Sequence, residues 1–105
     1  MTELVTYSSS NHIATITINR AERMNALNEE VILGLQAAWQ KLEAGDDRVA
    51  VLTAAGDKAF SVGADVKDVP KEMWQGVPSI GAQTSKPVIA AVKGWCIGGS
   101  YVIVQ

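Results

Sequence analysis

The sequence has 105 residues, 48% hydrophobic and 19% charged, with 9 Lys and Arg against 11 Asp and Glu for a net charge of −2. That composition suits one small globular domain with a core and argues against disorder. The slightly acidic balance provides no electrostatic footprint for nucleic acid, and a single cysteine, Cys96, excludes an intrachain disulfide and a multi-cysteine metal site.

The N-terminal MTELVTYSSS lacks a basic start followed by an apolar stretch, and there is no apolar run of about 18 residues. The expectation is a soluble, reducing, cytoplasmic setting with no membrane partner. Glu3 to Tyr7 alternates and predicts a strand, with Ser8-Ser9-Ser10-Asn11 as the turn after it. His12 to Asn19 predicts a second strand, completing a hairpin. Its core face is Ala14, Ile16 and Ile18, and its other face Ile13, Thr15, Thr17 and Asn19. His12, the only histidine, reads as a half-exposed strand residue rather than a metal ligand or catalytic base.

NRAERMNAL, residues 19–27, is too polar and irregular for a strand. Asn28 is the expected N-cap of a helix through Ala44. Glu29 and Glu30 complement its positive end, and Val31, Leu35, Ala38, Trp39 and Leu42 form its apolar stripe. Gly45 ends it. Val49 to Thr53 predicts a strand covered on both faces. Ala54 to Asp57 turns the chain, Ala59–Ser61 predicts a short strand, residues 69–86 a loop with one helical turn, and Val88 to Lys93 another buried strand. The strand-strand-helix order followed by a similar unit hints at an internal repeat.

Two glycine turns stand out, Gly63-Ala64-Asp65 and Gly98-Gly99. Each follows a β-like run and precedes what reads as a helix start. Such positions leave backbone N–H groups uncovered and bring partial positive charge, and two converging amides stabilise an oxyanion. Ordinary packing glycines would show the same local pattern.

Three segments, NRAERMNAL, FSVGADVKD and KPVIAAVKGWCIGGS, resemble the enoyl-CoA hydratase/isomerase family, or crotonase superfamily. That family's pattern reads N-R-P-x-x-x-N-A-L, then F-x-x-G-A-D-[LI], then K-P-[VT]-I-A-A-[VI]-x-G-x-x-x-G-G-G. The likeness runs from about His12 to the last residue. It implies an α/β fold, a crotonase-like spiral of repeated ββα units in its N-terminal portion only. Residues 1–105 would then form a single partial domain without the C-terminal half and helical trimerisation region. It also implies a lyase or isomerase of fatty acid metabolism acting on an acyl-CoA thioester, with coenzyme A part of the substrate and no separate cofactor or metal. Full-length relatives are expected to form homo-oligomers, trimers or hexamers.

Carried over by motif, the oxyanion-hole amides are those of Ala64 and Gly99. Arg23, Met24 and Ala26 would lie beside the nucleotide and pantetheine of the coenzyme, and Lys67 would partner a phosphate. Gly63, Asp65, Val66 and Gly98 complete the substrate-binding set. The resemblance also expects a helix from Gly98-Gly99, although the β-branched run in YVIVQ reads locally as a strand.

The sequence departs from that pattern at Ser100, Tyr101 and Val102, which stand where typical hydratases carry a third glycine, a cysteine and a catalytic glutamate. Valine transfers no proton, so the two-glutamate hydration mechanism is in question. Isomerases and enzymes that open or close rings on CoA esters are the alternatives within the superfamily. The remaining alternatives are a non-catalytic binding or assembly fragment that keeps the fold's first units, and an unrelated α/β domain with structural glycines.

Overall fold

In a computed structural model, residues 3–105 are described. The chain begins as a hairpin of β1, Val5–Ser10, and β2, Ile13–Ile18. Ser10 pairs with Ile13, so the turn is Asn11-His12, and both residues have positive φ, 53° and 66°. That is the two-residue hairpin turn whose twist matches the strands it joins. The expected Ser8–Asn11 turn is therefore displaced: the three serines lie in the ladder, opposite Thr15, Ala14 and Ile13. His12 sits in the turn, exposed, rather than in β2.

Helix α1, Glu29–Ala44, starts where Asn28 Oδ1 accepts from the Val31 amide at 2.9 Å and ends at Gly45. Val31, Leu35, Ala38, Trp39 and Leu42 are buried as the spacing requires, together with Ile32. They pack with Ala14, Ile16 and Ile18 of β2.

Strands β3, Val49–Ala54, and β5, Val88–Ala90, extend the sheet in the order β1-β2-β3-β5. The first pair is antiparallel and the others are parallel. A smaller parallel sheet joins β4, Ala59–Ser61, to β6, Trp95–Cys96. Helix α2, Gly99–Val104, follows β6.

Two strand expectations are corrected. β3 is not covered on both faces: Ala50, Leu52 and Ala54 are buried while Val49, Val51 and Thr53 are half-buried, because the core lies on one side of the sheet. The Val88–Lys93 run pairs only as far as Ala90. Among the described residues β5 has the single neighbour β3, and Ile89 is 58% exposed.

The repeat is real and has a pitch. Ile13 lies beside Val49, Ala50 beside Val88, Leu27 beside Ala64 and Ala59 beside Trp95. Ser61 lies beside Cys96 as well, so each turn of the spiral advances 35 to 38 residues along the chain. β2, β3 and β5 form one layer. Leu27, β4 and β6 form the second, and α1, a 3-10 turn at Met73–Gly76 and α2 follow in the successive units.

The two faces of α1 predict opposite mutational behaviour. Leu35→Ala should lower unfolding free energy by about 2–5 kcal/mol, whereas Leu33→Ala, at a side chain 43% exposed, should stay within about 0.5 kcal/mol. Chemical denaturation of both variants checks this, and similar losses would contradict the packing.

Candidate functional site

The segment between β2 and α1 is held by one buried amide. Asn25 is 1% exposed and left-handed, with φ 56°. Its Oδ1 accepts from the Arg20 amide at 2.9 Å, and its Nδ2 donates to the carbonyls of Ala55 and Ala59, each at 2.9 Å. The side chain thus closes its own loop and ties it to both ends of the turn between β3 and β4. Left-handed backbone suits Asn better than most residues, because its short amide bonds locally.

Arg20 carries the connection to the next turn. Its Nη1 donates to the Ala26 carbonyl at 3.0 Å and to Asp65 Oδ2 at 2.8 Å. Both side chains of this ion pair are mostly buried. The other carboxylate oxygen, Oδ1, accepts from the Lys67 amide at 2.9 Å. That bond and then the Arg20 guanidinium hold the Asp65 carboxyl below the usual carboxylate range. An expected helix start after Gly63 is absent. Asp65–Asp68 forms one turn, with the Asp65 side chain capping the Lys67 amide, and the chain then runs into Pro70.

The two glycine turns meet. Gly63 and Gly98 have φ of 94° and 62°. A Cβ on Gly63 would lie 3.0 Å from the Ile97 carbonyl oxygen and 3.3 Å from Gly98 Cα. One on Gly98 would lie 3.4 Å from Gly63 Cα. Leu27 brackets Ala64, donating its N–H to Gly63 O and accepting from Asp65 N, which leaves the Ala64 amide out of that ladder. Gly99 opens α2. Among the described residues neither the Ala64 nor the Gly99 N–H donates a hydrogen bond within the chain. The Met73 side chain lies over Gly99, 3.1 Å from where its Cβ would stand.

Arg23, Ala26, Ala64, Asp65, Val66 and Lys67 line one open depression of about 340 Å3 with Val62. Arg23, Val66 and Lys67 are exposed there, and Ala26 is buried. Met24 lines a separate hollow of about 270 Å3 with Ala21, Asn25 and the Ala55–Ala59 turn. Gly63 and Gly98 make the contact between the two turns and line neither hollow. A larger polar depression of about 670 Å3, beside Tyr7, His12, Lys41 and Asp47, contains none of the predicted site residues. There Tyr7 Oη and Ser9 Oγ donate to Asp47, and burial first, then the Asp47 bond, pushes the Tyr7 hydroxyl up to about 12.

Sequence inspection had no role for Arg20, Asn25, Ser61 or Ser100. The Asn in NRAERMNAL, polar yet followed directly by Ala-Leu and the helix cap, was the available signal for Asn25.

The enoyl-CoA hydratase/isomerase family pattern matches residues 8–104. This chain belongs to that family. The (E)-benzylidenesuccinyl-CoA hydratase of Thauera aromatica is 38% identical over 94% of this chain and 43% of its own length. A probable enoyl-CoA hydratase/isomerase from Mycobacterium abscessus superposes with a TM-score of 0.84 at 34% identity, over 99% of this chain and 43% of that one. A carnitinyl-CoA dehydratase from Mycobacterium avium superposes at 0.80 with 33% identity, over 97% and 42%. The chain thus spans less than half the length of these relatives and has the crotonase fold of their N-terminal portions. No helix among the described residues is long and apolar enough to cross a membrane.

Two outcomes check this geometry. Gly98→Ala should destabilise the fold by about 1–3 kcal/mol, because φ 62° with ψ −137° is a backbone region that glycine adopts readily and alanine does not; thermal or chemical denaturation measures this, and an unchanged midpoint would contradict that conformation. Asp65, whose folded value is lowered, stabilises the fold fully above its unfolded value of about 3.9 and loses that contribution as pH falls through the folded value. Asp65→Asn should therefore flatten the decline of stability below about pH 4, and an unaltered acid limb would show that the carboxylate contributes nothing.

Proposed function

We propose that the chain provides the oxyanion hole of an enzyme acting on acyl-CoA thioesters. The observation that carries the proposal is the contact of the Gly63 and Gly98 turns, each followed by an amide, Ala64 or Gly99, with no acceptor in the chain. Two backbone donors at one oxygen stabilise an enolate-like charge without reorganising. Losing one such donor typically costs about 2.7–4 kcal/mol of barrier. Coenzyme A enters as part of the substrate. Arg23 and Lys67 flank the depression in front of Ala64 and suit its phosphates. Met24 and Ala26 suit its nucleotide and pantetheine portions, with Asp65 and Val66 shaping the turn.

The relatives' names span hydratase, isomerase and dehydratase. A polarised thioester carbonyl, rather than a particular acyl group, is what such activities have in common. Val102 favours double-bond isomerisation or ring chemistry over two-carboxylate hydration. It stands at the typical glutamate position and lines an apolar cleft with Leu52, Val77, Pro78, Val88 and Ala90. We also infer a homo-oligomer, on the support of Trp95, Ile89 and Tyr101, which are 63%, 58% and 57% exposed.

A butanoyl-CoA labelled with 13C at the thioester carbonyl tests the oxyanion hole by isotope-edited infrared spectroscopy. The bound carbonyl band should lie below its position in water, and a bound thioester with an unshifted band would sink the proposal. Sedimentation should show species larger than one chain; a compact monomer at high concentration would count against association.

A further inference from the structure

We propose that Ser100 is a positioning residue that fixes the Gly99 amide against the Ala64 amide; this rests on the oxyanion-hole function above. Ser100 is fully buried. Its Oγ lies 2.7 Å from the Ile97 carbonyl oxygen and 3.0 Å from the Ser61 carbonyl oxygen, both within donating distance, with Cys96 Sγ at 3.7 Å. Ser61, also fully buried, faces both turns. Its Oγ accepts from the Gly63 amide at 3.1 Å, directly before Ala64, and its carbonyl accepts from the Ile97 amide at 3.2 Å. One serine pair thus spans from the residue before the first donor to the residue after the second.

α2 needs such a tie. It is six residues long, and its N-cap, Gly98, offers no side-chain bond. A helix this short has little stability of its own, and with two successive glycines the Gly98-Gly99 peptide has little intrinsic stiffness, held on its own side only by the Tyr101 N–H donating to Gly98 O at 3.1 Å. The Ser100 hydroxyl, in a position where the family pattern has glycine, accepts from no helix N–H and so is not a cap; by donating towards the Ile97 and Ser61 carbonyls it ties the first turn of α2 to β4 and to the residue before Gly98. Displacing a catalytic group by about 1 Å costs about 100-fold in rate, so anchoring this peptide is functionally significant.

The test compares wild type with Ser100→Ala by 15N relaxation, alongside the labelled thioester. In wild type the Ala64 and Gly99 amides should be rigid, with order parameters of about 0.85. In Ser100→Ala the Gly99 value should fall below about 0.6. The carbonyl shift of the bound thioester should shrink with it, while affinity for coenzyme A itself stays within about twofold. If Ser100→Ala does not fold, Ser100→Cys keeps the volume with a weaker donor, and its Gly99 order parameter decides. A Gly99 amide as rigid in the folded variant as in wild type overturns the role of Ser100. An unshifted carbonyl in wild type overturns the oxyanion hole instead, and the relaxation comparison still decides whether Ser100 holds the peptide.

Discussion

Ile13 lies beside Val49 and Leu27 beside Ala64, so one turn of the spiral delivers each strand and each second-layer segment to its counterpart in the turn before. Every placement in the molecule depends on this parallel register. A slip of one residue would turn Ile16 and Leu52 from the core to the opposite face of the sheet and carry the second-layer segments out of step with it. The pairing is also costly to form. Parallel strands nearly forty residues apart are brought together only after a crossover is ordered, and α1, with its stripe from Val31 to Leu42 buried on β2, supplies much of the apolar burial that offsets this.

The register explains why two glycine turns touch at all. Gly63 closes the second-layer segment of one turn and Gly98 that of the next, and adjacent strands place their ends side by side. Close approach then leaves little room for a Cβ at Gly63, 3.0 Å from the Ile97 carbonyl oxygen, and its positive φ strains any other residue there. Neither turn is held by glycine alone. Asn25 and Arg20 clamp the first turn of the spiral to the second through Ala55, Ala59 and Asp65. Ser61 and Ser100 clamp the second to the third. The polar residues buried near the site are thus all bonded, as burial of polar groups requires.

Much of this was legible in the sequence, because the signals were local. The alternation in HIATITIN, the cap at Asn28 and the 3.6-residue stripe of α1 each report on their own backbone and came out as expected. The errors arose where structure depends on distant partners. Three serines look like a turn, yet the Asn11-His12 pair makes a tighter one and lets Tyr7 and Ser9 reach Asp47 across the sheet. Val49–Thr53 looks fully apolar, but which of its faces is covered is decided by elements elsewhere in the chain. The turn after Gly63 resembles a helix start, but the Asp65 side chain satisfies the Lys67 amide itself. The helix expected from Gly98-Gly99, against the strand propensity of YVIVQ, is present from Gly99 to Val104, with Ile103 buried in the core. Tertiary packing outweighs a preference worth under 1 kcal/mol per residue.

The candidate site was legible as motifs but not as a mechanism of support. Glycine pairs and a Gly-Ala-Asp segment mark where backbone is exposed, and the resemblance assigned those amides a role. Which side chains keep the amides in place follows only from three-dimensional proximity, since Arg20 and Asp65 are 45 residues apart and Ser61 and Ser100 are 39 apart. This division has a functional consequence. When the proposed donors are backbone N–H groups, side chains around them can change without removing a donor, provided the strand register and the small-residue contact persist. Ser100, Tyr101 and Val102 depart from the hydratase pattern while α2 still begins at Gly99. In the proposed function, the electrostatic part of the chemistry rests on backbone that the spiral positions, and the side chains that differ from the hydratase pattern bear on proton transfer instead.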